Sequence, residues 1–172
     1  IRLQLDPAIS LMINSEVVIT MNAESNVLGF MILTRAIDSP TACGINYICV
    51  DSDYRNQGLM TMMIASLKPR FSDIALSCFP KLVEAYEKIG FRMCEAQEAQ
   101  VAMRIGDSYN MNVIDPHYLN RQGAVSLEAQ RLISELGPER AVAINDEYDA
   151  ETKRISQEVV SFVEQRKKPV SV

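Results

Sequence analysis

Apolar positions along the chain change their period several times, and each change predicts an element. Residues 16–22, EVVITMN, alternate over a β-branched run, AESN supplies turn residues, and VLGFMILTRA at 27–36 is apolar and extended. This is a hairpin pattern. DSPTACG at 38–44 reads as a loop, and INYICV at 45–50 as a strand largely buried because it is apolar on both faces. In LMTMMIASLKPRF, Leu59, Met62, Met63 and Leu67, with Ile64, recur at three and four, the spacing of a helix that Pro69 limits. DIALSC at 73–78 is a short strand. Pro80 opens a helix over PKLVEAYEKIG, whose Leu82, Val83, Tyr86 and Ile89 share a face and whose Gly90 stops it. FRMCEA and AQVAMRIG predict two strands joined tightly around Gln97 and Glu98. Ahead of the hairpin, the first 15 residues hold a strand, IRLQL, and room for one helix, DPAISLMIN.

The order strand, strand, strand, helix, strand, helix, strand, strand predicts a mixed α/β layer arrangement with two helices crossing a sheet. From 107 onward the texture changes. DSYNMNVIDPHYLNRQG has no sustained period and reads as a connector. SLEAQRLISELG at 126–137 is helical, with Ser126 as cap and Gly137 as stop. Pro138 suits the first turn of PERAVAINDEY, and Asp149 is expected to cap DAETKRISQEVVSFVEQRKK. There Tyr148, Ile155 and Phe162 repeat every seven residues, with Val159 and Val163 filling the stripe. Such a stripe either docks on the preceding domain or pairs with another chain, giving a homo-oligomer through the C-terminal helices. The expected division is a domain over 1–106 and a connector with helical extension over 107–172.

Composition narrows the function classes. Hydrophobic residues are 48% and charged residues 23%, which is enough for a packed core. The net charge of -5 is shared by both parts, so no basic footprint for nucleic acid exists. A mildly acidic surface suits amine-bearing substrates. Cys43, Cys49, Cys78 and Cys94 lie far apart in apolar surroundings, and His117 is the single histidine. These make no zinc set, and no metal is expected. They read as reduced thiols of a cytoplasmic protein. Nowhere do 18 uncharged apolar residues run together, IRLQLDPAIS does not read as a signal peptide, and no membrane association is expected.

The candidate chemistry is in VDSDYRNQGLM, residues 50–60. A strand ending at Val50, a short loop and a helix starting near Gly58 leave the first helical amides without acceptors, which suits an anion. Gly58 permits close backbone approach, and Arg55 adds charge. By its own spacing the stretch is either a basic surface turn or a loop that holds a pyrophosphate.

Together with AYEKIGF, about 30 residues on, the stretch resembles the GCN5-related N-acetyltransferase (GNAT) family, the acetyl-CoA-dependent transferases. The family's pattern of Arg or Gln, two residues, Gly, one residue, Gly or Ala falls on Arg55, Asn56, Gln57, Gly58, Leu59 and Met60. Its later helix is matched at Tyr86, Glu87, Lys88, Ile89, Gly90 and Phe91. The resemblance covers about 16–106 and implies an α/β (α+β) fold with a mixed, mostly antiparallel central sheet flanked by helices. Two positions depart. Met60 stands where Gly or Ala is usual, so either the backbone approaches the pyrophosphate less closely or the side chain turns away. Phe79 replaces an asparagine common in the family.

The resemblance implies an N-acetyltransferase that moves an acetyl group from acetyl-CoA to a primary amine of a protein, peptide or small molecule. Arg55 and the backbone amides of Gln57, Gly58, Leu59, Met60 and Thr61, with Asn56 in the loop, would hold the CoA pyrophosphate. Backbone groups of Ile48, Cys49 and Val50 would pair with the pantetheine arm, and Tyr86 would give the leaving thiolate its proton. INYICV offers no carboxylate as base; Asp51, Asp53 and Glu16 are the nearest, and each reads as a solvated loop charge. The other reading is a domain of this fold whose catalysis has faded, working as a binding or assembly module through the C-terminal helices.

Overall fold

The computed structural model describes residues 2–4, 15–36, 38–107 and 123–167. The β-branched alternation becomes β2 (Ser15–Met21) and β3 (Val27–Arg35), preceded by the short β1 (Arg2–Gln4) and followed by β4 (Ala42–Val50). A 3-10 turn at Ser52–Tyr54 leads to helix α1 (Leu59–Ala65) and strand β5 (Asp73–Cys78). A second 3-10 turn, Pro80–Leu82, opens α2 (Val83–Ile89), and β6 (Arg92–Gln97) and β7 (Gln100–Ile105) form the last hairpin. Helices α3 (Gly123–Leu136) and α4 (Pro138–Lys167) complete the described chain.

The strands make one seven-stranded sheet in the order β1-β2-β3-β4-β5-β7-β6. Every neighbouring pair is antiparallel except β4 and β5, which run parallel because α1 crosses between them. The mixed, mostly antiparallel sheet with flanking helices is thus the observed fold. One sheet face carries the core. Met31 and Leu33 of β3, Cys43 and Ile45 of β4, Ile74, Leu76 and Cys78 of β5, and Val101 and Met103 of β7 are buried together under α1, α2 and α4. Gly29 allows a close approach: a Cβ there would lie 2.7 Å from the Cys49 carbonyl and 3.4 Å from Met63 Cε of α1.

Five local expectations are corrected. The loop read over 38–44 ends early, since β4 begins at Ala42, and INYICV is not largely buried, because Tyr47 is 69% exposed and Cys49 is exposed on the face away from the core. Ser126 does not cap a helix, because α3 already begins at Gly123. Asp149 does not start one either; it lies inside the continuous α4, where its carboxylate accepts from Asn145 Nδ2 at 3.1 Å. Arg154, paired with Glu151 and Glu158, carries the same helix past that point through i,i+3 and i,i+4 contacts. Glu16 is no solvated loop charge. It is buried on β2, where Arg35 and Arg70 both donate to its carboxylate, the latter at 3.0 and 2.9 Å, and both guanidiniums lie over the Phe71 ring. The helix expected over DPAISLMIN, the connector from 108 to 122 with His117, and Lys168 lie outside the described residues.

The C-terminal stripe divides. Val159 and Val163 are buried in the core, with Ile155 and Phe162 packed beside them, whereas Tyr148 is 69% exposed. Arg166 fastens the far end of α4 to α2 by pairing with Glu87 at 2.8 Å.

The Glu16 cluster ties β2, β3 and the segment after α1 together, so it has a measurable stability effect. Glu16→Ala leaves two partly buried guanidiniums unpaired and is expected to cost roughly 2 kcal/mol, below the fully buried case because both arginines keep some solvent contact. Urea unfolding checks this; a loss within the few tenths typical of surface substitutions would make the cluster incidental.

Candidate active site

The site begins with a single unmatched residue. Ile32 pairs with Tyr47 and Leu33 with Ile45, which leaves Asn46 bulged out of the β3–β4 ladder. Its side-chain oxygen accepts from Thr34 Oγ1 at 2.9 Å. A bulge bends its strand and sharpens the local twist. The parallel pairing of β4 with β5 accordingly ends at Ile45 and Leu76, and beyond it the facing edges of Asn46–Val50 and Ser77–Cys78 pair neither with each other nor with another described strand.

Which peptide groups face this gap follows from ladder alternation. The Asp51 amide donates to the Leu28 carbonyl at 2.9 Å, so the peptide groups of Cys49 and Asp51 turn toward β3. Those of Ile48 and Val50 turn toward the gap. Their side chains pack on the core face. The Cys49 backbone therefore does not reach the gap, which departs from the expectation that all three residues offer backbone groups to it.

Past Val50 the loop is organised by its own polar groups. Asp51 accepts from the Asp53 amide at 3.0 Å, Arg55 Nε donates to the Val50 carbonyl at 3.2 Å, and Gln57 Nε2 donates to the Asp53 carbonyl at 3.3 Å. Asn56 and Gly58 adopt left-handed backbone, with φ of 62° and 80°. These turns aim the amides of Gln57, Gly58, Leu59, Met60 and Thr61 outward; they donate to no acceptor among the described residues, and Met62 makes the first helical bond, to the Gly58 carbonyl. Nothing lies within 4 Å of where a Gly58 Cβ would sit. Met60 packs against the core cluster, so its side chain turns away from the amides. Phe79, 48% exposed, sits at the start of the second 3-10 turn.

Across the gap, Tyr86 stands on α2 beside Cys78, the last residue of β5. Its ring is 5% exposed and meets Phe91 edge to face, centroids 5.6 Å apart at 77°. The hydroxyl has no hydrogen-bond partner among the described residues. Burial, reinforced by the neighbouring Cys78 thiol, pushes the phenol up to about 12. Burial likewise raises the Cys78 thiol to about 11 and Cys43 to about 12, which holds both neutral and unreactive.

The structure thus turns the peptide groups of Ile48 and Val50 toward the gap, sets Tyr86 beside Cys78 at the end of the facing strand and places Arg55–Thr61 on the loop running from the end of β4. Sequence reasoning missed the bulge at Asn46, although one asparagine in the apolar run INYICV was a signal for it. It also missed Cys78 as the neighbour of Tyr86, a contact that only sheet order creates. Among the described residues no group of three or more His, Cys, Asp or Glu could hold a metal. No helix there is long and apolar enough to cross a membrane.

Comparison with known proteins adds a family. A family model described as an acetyltransferase (GNAT) domain matches residues 7–105, more than half of the 172-residue chain. No curated protein sequence matches. Among solved structures, nourseothricin acetyltransferase is 14% identical with a TM-score of 0.47, over 53% of this chain and 64% of its own. A mutant spermidine N-acetyltransferase from Vibrio cholerae is 16% identical with a TM-score of 0.46, over 53% and 63%. A Bacillus anthracis protein carrying the streptothricin acetyltransferase name, solved with acetyl coenzyme A, is 19% identical with a TM-score of 0.47, over 55% and 63%. The chain spans less than two thirds of each of these three proteins.

The raised phenol carries a stability consequence with a definite sign. Folding favours protonated Tyr86, so the folded chain keeps a proton that the unfolded chain releases between pH 10.0 and about 12, and stability falls as pH rises through that window. Cys78 contributes the same sign between 9.0 and about 11. Tyr86→Phe is therefore expected to flatten the alkaline loss at its upper end in urea unfolding at increasing pH. A slope identical to that of the parent chain would mean the phenol titrates at its ordinary value.

Proposed function

The chain belongs to the GNAT acetyltransferase family, and from that premise we propose that it moves an acetyl group from acetyl-CoA to a primary amine by direct attack. The observation that carries this reading is the gap between β4 and β5, faced on one edge by the peptide groups of Ile48 and the Val50 amide and flanked on the other by a tyrosine hydroxyl with no hydrogen-bond partner among the described residues. The residues present fit the co-substrate: the outward amides of Gln57–Thr61 and the open space at Gly58 suit a pyrophosphate, and Met60 does not intrude.

Each residue then has a stated task. The amides from Gln57 to Thr61 hold phosphate oxygens, while Arg55 both braces the Val50 carbonyl and adds positive charge at the loop. Ile48 and Val50 pair through their outward peptide groups with an extended, amide-bearing arm, as an added strand would. An amide N–H there polarises the thioester carbonyl. Acetyl-CoA supplies an activated acyl group on a thiol leaving group. Tyr86, protonated throughout the neutral range, donates a hydrogen bond to the departing sulfur. An ordinary thiol, near a pKa of ~8.5, is a stronger acid than this phenol, so Tyr86 steadies the thiolate without a lasting loss of its proton. In balance, the N–C bond forms, the C–S bond breaks, and the proton lost by the amine ends on the thiol. The gap-lining stretches 46–50 and 77–78 contain no carboxylate, so the amine must arrive neutral, and after attack water carries its proton to the departing thiolate.

A second reading, assembly with another copy through the C-terminal helices, is favoured by one observation. Leu127, Leu132, Val142, Ile144 and Tyr148 are all between 48% and 69% exposed on α3 and the overhanging part of α4. Sizing in solution before and after deletion of 138–147 tests it, because an unchanged state rejects it.

Acetyl-CoA at a hundred times its dissociation constant should stabilise the fold by about 2.7 kcal/mol, a thermal midpoint shift of roughly 5–10 °C. Gly58→Val, strained at a φ of 80° and filling the space at the amides, should abolish that shift. Tyr86→Phe should keep the shift and lower kcat by roughly a hundredfold. An unshifted midpoint in the parent chain would refute the transferase reading, and unaltered kcat in Tyr86→Phe would remove the tyrosine from it.

A further inference from the structure

On the side away from α1 and α2, the same gap opens onto a different surface. Alternation places Phe30 and Ile32 of β3, Tyr47 and Cys49 of β4, and Ser77 of β5 on the face opposite the buried Met31, Leu33, Leu76 and Cys78. Register sets Phe30 against Cys49 and Ile32 against Tyr47. Phe30 is 37% exposed and Tyr47 69% exposed, so two aromatic rings stand diagonally on the outer surface beside the unpaired edge of β4. On the β5 side, Ser77 Oγ donates to Gln97 Oε1 at 2.7 Å, which satisfies both polar groups. Within residues 28–34, 44–50 and 75–78 there is no Asp, Glu, Lys or Arg.

We propose that this aromatic, uncharged surface is the acceptor side of the gap and that it selects an amine carried on an aromatic or aliphatic body over a polyamine or a lysine-rich peptide. The inference rests on the transferase reading. With the loop amides and Tyr86 on the helical side, the reacting carbon is approached by the amine from the opposite face. A polyamine laid across these stretches of β3, β4 and β5 would strip water from several ammonium groups without meeting a carboxylate among them; Asp73 and Glu95, which register puts on the same face, stand at the opposite end of β5 and on β6. An amine on an aromatic body has one charge to desolvate and a ring to pack against Phe30 and Tyr47. Desolvation against an uncharged surface also favours the neutral amine, which is the nucleophile. The surface thereby helps prepare the acceptor at a gap whose edges hold no carboxylate base.

The test measures thiol release from acetyl-CoA by the full chain with phenethylamine, hexylamine, spermidine and a lysine-containing peptide, alongside the midpoint shift with acetyl-CoA alone. The expected kcat/KM for phenethylamine exceeds that for spermidine by at least ~10-fold, the scale on which apolar pockets discriminate. Tyr47→Ser shrinks this ratio and Tyr47→Phe restores it. Tyr47 is largely exposed, so its replacement leaves the core intact. Preference for spermidine or the peptide, a ratio unmoved by Tyr47→Ser, or a midpoint shift without acceptance of any amine would each overturn the inference while leaving cofactor binding in place. Absence of the midpoint shift would instead remove the transferase reading itself.

Discussion

The unmatched Asn46 is the constraint on which the site depends. A continuous ladder between β4 and β5 would close the sheet and leave no room between the strands. Because Asn46 is bulged against β3 and held by Thr34, the strand bends at the residue where its parallel pairing with β5 stops. Two strand edges then lie open inside a sheet, an arrangement that leaves backbone donors and acceptors for a guest to satisfy. The outward peptide groups of Ile48 and Val50 are available for this reason, and the loop that follows inherits its direction from the same bend.

Open edges weaken a sheet, and the remaining structure holds it from both sides of the gap. At the other end of β3 and β4, the Glu16–Arg35–Arg70 cluster over Phe71 joins β2, β3 and the segment leading to β5. On the far flank, Val159 and Val163 of α4 cover the β6–β7 hairpin, and Arg166 binds α4 to Glu87 of α2, one residue from Tyr86. Gly29 lets α1 press on β3 so that its first turn stands at the end of β4. The C-terminal helix thus supports the element that carries the tyrosine.

Much of this was legible in the sequence, for identifiable reasons. Period-two alternation in EVVITM and VLGFMILTR and helical spacing in LMTMMIASL report burial on one face, and each became the element its period implied. Pro80 and Gly90 marked the ends of the α2 region through backbone preferences that tertiary packing did not override. The failures were non-local. Ser126 and Asp149 looked like caps, yet neighbouring residues had enough helical support to continue through them. Glu16 looked solvated because its partners lie 19 and 54 residues away. At the site, the loop and the tyrosine helix were visible as local patterns, whereas the gap between them arises from strand order, which no local pattern encodes, and from a bulge that only the lone asparagine of INYICV signalled.

Residue-resolved amide hydrogen exchange with and without acetyl-CoA would test the role of the gap most directly. The gap model requires added protection at Ile48, Val50 and Gln57–Thr61, with Cys49, whose peptide faces β3, left nearly unchanged. Equal protection at Cys49 and its neighbours, or none at any of these amides under saturating acetyl-CoA, would contradict it.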